Sequence, residues 1–218
     1  MKAIDLVKRI HRRVNGNIKY PAWGSDKCTL YIETANDVIT ALCTDPENKW
    51  DWCWEEREFG AIAEAQLTYD LDDDVFDLSD KVYVTTETQT FVFNVIKPAD
   101  RKKFTNSVYI SSDSPKQITF TNMPPEAVGG TITAGVYVIP PLITSPNQNV
   151  PVQRPLYVAF ETAAQLVLTI PAKQDMYDDL HDLAVDEYDK MAMVNDNVPA
   201  GNSDTVPYGD FGNAAGGL

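Results

Sequence analysis

The sequence predicts an α+β protein in which helices at both ends of the chain flank a β-rich middle. Three observations support this: apolar residues recur at helical spacing near both ends, alternate in steps of two in the middle, and follow no period in a glycine-rich C-terminal stretch. The 218 residues suffice for one core with an inserted lobe. We therefore predict a helical domain of residues 1–50 plus 154–196, a β-rich lobe of residues 51–153 and a flexible arm of residues 197–218.

The first helix is predicted over residues 1–15. Its apolar side chains recur at steps of three and four, at Ala3, Val7, Ile10 and Val14. Such a helix buries one face and exposes the other.

Four cations share the polar face of this helix: Lys8, Arg9, Arg12 and Arg13. They could form a basic patch that faces a DNA channel or an interface. The simpler interpretation is a solvated face, because cations near a helix C-terminus are favoured by the helix dipole.

A second helix is predicted from about Thr34 to Cys43, with Thr34 as its N-cap residue. The pair Asp45-Pro46 ends it, since the residue before proline avoids helical geometry.

From Trp50 onward the period changes to two, and β-branched and aromatic runs are separated by turn formers. The predicted strands lie near residues 52–59, 61–67, 81–86, 90–96, 106–111, 116–121 and 130–138. Seven short strands with such breaks predict an antiparallel sandwich or a small barrel.

Trp50, Trp52 and Trp54 stand two residues apart, which on a strand would place their rings on one face. A platform for a sugar or a base needs this geometry. The junction of helix and strand is also where a fold buries large rings, so we predict that the three tryptophans belong to the structural core.

Helical periodicity returns at Pro155, a favourable first-turn residue, and Pro171 separates this third helix from a fourth over about 173–195. Residues 173–196 contain eight acids and two lysines. The acids form either a solvated face or a face matched to a basic partner.

The last 22 residues contain five glycines and no hydrophobic period. Tyr208 and Phe211 stand in this stretch, with Asp210 between them. The two aromatics are either anchors for a groove on another chain or ordinary terminal residues.

The cysteines and histidines are too few and too scattered for a metal or disulfide site. Cys28, Cys43 and Cys53 form no Cys-x-x-Cys pair, which favours reduced thiols in a cytosolic setting. Neither His11 nor His181 stands in a sequence context typical of a catalytic base.

The acidic run around Asp72 does not form an EF-hand. Asp70, Asp72 and Asp74 have the spacing of its first ligands, but Val75 replaces the required glycine and Lys81 the final glutamate. A turn between strands is the preferred interpretation, with a weak divalent-ion site as the alternative.

No phosphate-binding or nucleophile motif occurs, so we predict a protein that is not an enzyme and has no cofactor. The net charge of −14 disfavours nucleic-acid binding, since duplex DNA is a polyanion. No signal or membrane segment is evident, which predicts a cytoplasm-like compartment and no membrane partner.

The order of these features resembles the head-to-tail adaptor (connector, or neck) proteins of tailed bacteriophages, including the tail tubular proteins of podoviruses. Two helices lead into a Trp-x-Trp strand, here Trp52-Cys53-Trp54, and a Tyr-x-Leu-x-x-Asp turn begins at Tyr69. A β-rich insertion and two helices follow, the second ending in Tyr188-Asp189-Lys190-Met191. The chain departs from the commoner pattern at Asp72, where the family turn has proline.

The resemblance implies a virion protein at the head-tail junction, assembled in the cytoplasm of a bacterial host. Such adaptors form a homo-oligomeric ring, usually of twelve copies, that binds the portal protein and docks tail, nozzle or tail-fibre proteins. Genomic DNA passes through the channel without specific binding. Residues 197–218 would be the portal-binding arm, with Tyr208, Asp210 and Phe211 as its contacts.

Two alternatives remain at the sequence level. The first is another structural virion protein, for tail completion or head decoration. The second is a β module that binds carbohydrate or a host surface through the tryptophans. Carboxylate catalysis ranks last, because no motif defines a cleft for it.

Overall fold

The computed structural model describes residues 1–16, 19–45, 48–113 and 115–196. Its helices are α1 (Ala3–Asn15), α2 (Asp26–Cys43), α3 (Pro155–Leu168) and α4 (Tyr177–Asp196). Its strands are β1 (Trp54–Ala61), β2 (Thr68–Asp70), β3 (Val75–Thr85), β4 (Thr90–Val95), β5 (Ser107–Asp113), β6 (Lys116–Phe120) and β7 (Thr131–Val138). The α+β class predicted from the sequence is confirmed.

The chain divides into two compact units. A helical unit comprises Met1–Trp52 and Pro140–Leu218, of which residues 197–218 lie outside the described part, and a β unit comprises Cys53–Ile139. Among the described residues, no helix combines the length and the apolar character needed to span a membrane.

Within the helical unit, α3 packs against each of the other three helices. It is buried on several sides, as expected for a helix with few polar residues. The small side chains of Ala159, Ala163 and Ala164 are buried, which leaves room for neighbouring helices to approach.

The start of α2 differs from the prediction. The helix begins after Ser25, whose Oγ accepts a hydrogen bond from the Cys28 amide at 3.4 Å. The predicted cap, Thr34, lies inside the helix and donates to the Leu30 carbonyl at 2.9 Å. The additional turns are held by burial of Cys28 and Tyr31.

Residues 140–153 belong to the helical unit and not to the β-rich lobe of residues 51–153 that the sequence predicted. Backbone hydrogen bonds attach this segment to the start of the chain: Ala3 N–H donates to the Gln148 carbonyl, and Val150 N–H to the Met1 carbonyl, each at 2.9 Å. The Asn36 side chain accepts from the Ile143 amide at 2.9 Å. These contacts join residues far apart in the chain, so the local sequence does not reveal to which unit the segment belongs.

The β unit contains one curled seven-stranded sheet of order β1-β7-β3-β4-β5-β6-β2. The sheet is mixed, because β4 and β5 pair in parallel while the other neighbours are antiparallel. This corrects the prediction of an antiparallel sandwich or small barrel. The connection between β4 and β5 is long and contains the 3₁₀ turn Pro98–Asp100. It lets the chain return to the end of the sheet at which β4 begins, as parallel pairing requires.

The predicted strand at residues 61–67 is also wrong, since Ala61 ends β1 and residues 62–67 form the loop between β1 and β2. Ala65 has a φ of 60°, which interrupts extended backbone. Tyr69 organises the loop: its hydroxyl donates to the Gln66 carbonyl and accepts from the Ala63 amide, each at 3.1 Å.

The core of the β unit is centred on aromatic rings. Phe93 and Phe120 meet edge to face at 4.8 Å between centroids, and Tyr69 meets Phe120 at 5.9 Å. Buried aliphatic side chains surround them, including Val82, Val84, Ile118 and Ile132.

Gly135 on β7 allows the close approach of the Trp54 side chain on β1. A Cβ atom there would lie 2.6 Å from Trp54 Nε1 and 2.7 Å from Ser79 Oγ. We expect Gly135→Ala to lower the free energy of unfolding by about 1–3 kcal/mol, measured by urea denaturation, because the indole must shift. Glu56→Ala, at the exposed residue paired with Gly135, is the control and should stay within about 0.5 kcal/mol. Equal stability of the two variants would contradict the expectation.

Candidate interaction surfaces of the helical unit

A groove between α1 and α3 has a volume of about 830 Å³, and we call it the basic groove. Its α1 wall contains the four cations singled out in the sequence: Lys8, Arg9, Arg12 and Arg13. Its other lining includes Tyr20, Leu156 and Phe160. The groove is therefore positive on one side and apolar on the other.

The amphipathic pattern of α1 produces this arrangement. Ala3, Leu6, Val7 and Ile10 are fully buried, so the cations face outward. The Arg13 guanidinium lies 5.0 Å from the centroid of the Phe160 ring, a cation–π contact that connects the two walls.

The cations are incompletely neutralised. Lys8 Nζ lies 3.3 Å from Asp5 Oδ1. No carboxylate of a described residue lies within ion-pair distance of Arg9, Arg12 or Arg13. The groove thus presents a local positive charge on a chain whose net charge is −14.

The opposite charge is concentrated on α4, whose 20 residues include seven acids and one lysine. We call its exposed residues Asp178, Asp179, Asp182 and Asp189 the acidic face. None of these four forms an ion pair with a described residue. Val185, 42% exposed, lies among them at helical spacing.

The other acids of α4 have internal partners. Lys190 Nζ contacts Asp186 at 2.6 Å and Glu187 at 2.9 Å, and Arg154 contacts Glu187 at 3.2 Å. Hydrogen bonds from Lys190 lower the pKa of Glu187 most strongly, with a smaller effect from Arg154. These pairs reduce the repulsion among the acids of α4.

A buried polar cluster lies beneath α1. Asn15 Nδ2 donates to Tyr31 Oη at 2.7 Å, and Tyr31 Oη lies 3.2 Å from His11 Nδ1. Lys173 Nζ donates to Asn15 Oδ1, which fixes the amide orientation. Asn15 Nδ2, which can only donate, also lies 3.4 Å from His11 Nδ1. Nδ1 is therefore placed to accept, from Asn15 and from the Tyr31 hydroxyl, and the single ring proton of neutral His11 lies on Nε2.

This arrangement keeps His11 neutral. The residue is 2% exposed, and its Nε2 atom has no hydrogen-bond partner among the described residues. Burial lowers the pKa of His11, and the charges of Lys27 and Lys173 lower it further. Burial also raises the pKa of Tyr31.

The acidic run around Asp72 on the β unit is bound to Arg57. The guanidinium donates two bonds of 2.7 Å to Asp74 and one of 2.9 Å to Asp72, and it also bonds Glu55. The hydrogen bonds from Arg57 hold the pKa of Asp74 below its ordinary value. Among the described residues, no group of three His, Cys, Asp or Glu side chains could hold a metal ion.

The tryptophans do not form the strand platform considered from the sequence. Trp50 is 1% exposed, and its Nε1 donates to the Leu42 carbonyl at 2.8 Å. Trp52 lies in the 3₁₀ turn Asp51–Cys53 and is partly buried, and β1 starts only at Trp54, which is also partly buried. The three tryptophans are therefore not on one strand, and the two-residue alternation of a strand does not place their rings on one face.

The predicted arm contacts Tyr208, Asp210 and Phe211 lie outside the described residues. Sequence reasoning identified the cations of the basic groove but missed Tyr20, Leu156 and Phe160, because no local pattern connects α1 with α3. No protein-family model and no curated protein matches this chain.

The buried His11 predicts a pH dependence. Its folded-state pKa lies below the unfolded value of about 6.5, so below that pH the unfolded state gains a proton that the folded state lacks. Stability should fall as the pH drops from about 6.5 toward the folded pKa, by up to about 1.4 kcal/mol per pH unit. His11→Gln should flatten this slope in urea unfolding measured between pH 7.5 and about 5. Arg12→Gln, with an unchanged His11, should keep it; identical slopes in all three proteins would contradict the argument.

Proposed function

We propose that this protein is a structural virion subunit that forms a ring adaptor between the portal and the tail of a tailed bacteriophage. The observation that supports the proposal most is the discontinuous helical unit: α1 and α2 precede the β unit, and α3 and α4 follow it and pack with them. This is the element order of the adaptors that the sequence resembles. The four helices are proposed to act as a bundle in the ring wall.

The surfaces of the helical unit suit contacts between proteins. A basic groove and an acidic face occur on different helices of one unit, and the described residues pair few of their charges. A net charge of −14 suits a channel that lets DNA pass, because like charges repel the duplex and keep it mobile.

The remaining roles follow from the resemblance. The β unit is proposed to face tail, nozzle or tail-fibre proteins. Residues 197–218 are proposed to bind the portal through Tyr208, Asp210 and Phe211. Several weak arms around one ring would together bind tightly, since each added contact is intramolecular after the first.

Another structural role, in tail completion or head decoration, is the closest alternative, and the position of the protein in the virion distinguishes it. Carbohydrate binding through the tryptophans is the second alternative. It is less well supported, because the Trp50 ring is buried and its N–H is satisfied, and mutation of the partly buried Trp52 or Trp54 tests it: a folded variant that loses sugar binding would favour it.

The ring can be tested by native mass spectrometry and particle imaging of the purified protein. We expect a closed ring, twelve-fold as in the family, and density for this chain between portal and tail in the virion. A purified protein that remains monomeric together with portal, or density elsewhere in the virion, would refute the adaptor function.

The arm can be tested by deletion of residues 197–218. We expect binding to the purified portal protein, measured by surface plasmon resonance, to weaken at least tenfold, with normal folding of the remaining chain. Deletion of residues 213–218 alone is the matched control, because it keeps Tyr208, Asp210 and Phe211. Undiminished portal binding by the longer deletion would refute the arm.

A further inference from the structure

We propose that the basic groove of one copy binds the acidic face of α4 in the next copy. This inference rests on the proposed ring and identifies the contact that would build it. The occupant of the groove is thus a second copy of this chain, held by its fourth helix.

Charge complementarity supports this pairing. With four cations and Asp5, α1 has a net formal charge of +3, whereas α4 has −6. Within one copy, the described residues show no ion pair between α1 and α4. Both surfaces therefore keep most of their charge available for a neighbour.

Apolar groups accompany the charges on both surfaces. The groove contains Leu156, Phe160 and the 44% exposed Tyr20. The acidic face contains Val185 between Asp182 and Asp189. Apolar contact combined with complementary charge is common in specific interfaces between proteins.

The positions of the helices make the contact directional. Because α1 and α4 both pack against α3, the two complementary surfaces lie on different helices of the same unit. A contact between different surfaces of identical chains repeats from copy to copy and closes into a ring when the rotation allows it.

Duplex DNA is a less suitable occupant. The phosphate backbone would use the cations but would leave the apolar wall of Leu156 and Phe160 without a function. Four cations on a chain of net charge −14 also provide little overall attraction.

The test is an exchange of charge between the two surfaces. The groove variant Arg9→Glu/Arg12→Glu makes both surfaces negative, and the face variant Asp179→Lys/Asp182→Lys/Asp189→Lys, which leaves only Asp178 negative on the face, makes both positive. We expect each variant alone to need at least a tenfold higher protein concentration to assemble, because like charges then meet. Analytical ultracentrifugation at physiological salt measures this concentration. All altered side chains are exposed, so circular dichroism should remain native.

A one-to-one mixture of the two variants should restore assembly. In alternating order, each negative groove meets a positive face and each positive groove meets a negative one. A single chain with all five substitutions should also assemble alone. Lys97→Glu/Arg101→Glu, which makes the same charge change as the groove variant but on the β unit, is the control and should assemble like the unaltered protein.

The outcomes separate this contact from the proposed function. Rings that persist in both variants, or a mixture that fails to assemble, would overturn the contact and leave the ring standing. The same holds if the groove variant assembles normally but loses retention on duplex DNA. Restored assembly into open filaments, without rings in the unaltered protein, would support the contact and overturn the adaptor function.

Discussion

The helical unit depends on the packing of α3 against the other three helices. Its small buried residues, Ala159, Ala163 and Ala164, allow α1, α2 and α4 to pack around it. The partners α1 and α2 are separated from α3 by more than one hundred residues, so this packing closes a long loop. Such contacts form only after a large loss of chain entropy. The whole β unit therefore lies within the loop of chain that is closed where α3 meets α1 and forms the basic groove.

The sequence predicts features that depend on local spacing and misses those that depend on distant contacts. The buried stripe of α1 and its outward cations follow from helical periodicity. The start of α2 does not, because Thr34 resembles a cap as well as Ser25 does, and burial of Cys28 and Tyr31 extends the helix. The parallel pairing of β4 and β5 and the transfer of residues 140–153 to the helical unit likewise depend on partners far away in the chain.

The candidate site shows the same limit. Four cations on one helix face are visible in the sequence, but Phe160 reaches Arg13 across almost one hundred and fifty intervening residues. The acidic run around Asp72 is equally ambiguous in isolation, and Arg57 decides its role by binding two of its carboxylates. Net charge also misleads, since −14 for the chain conceals a helix that is positive. The distribution of charge among elements is more informative than its sum.

The register of β1 and β7 has a consequence for how the sequence of the β unit can vary. Trp54 is paired with Tyr137, so the chain enters and leaves the β unit on two adjacent antiparallel strands, whose paired Cα atoms lie about 5 Å apart. The β unit is in this sense attached like a hairpin, and the chain that follows it resumes next to where it departed. Its loops and strands can diverge or be exchanged for another hairpin-ended module while the sequence of the helical unit stays the same.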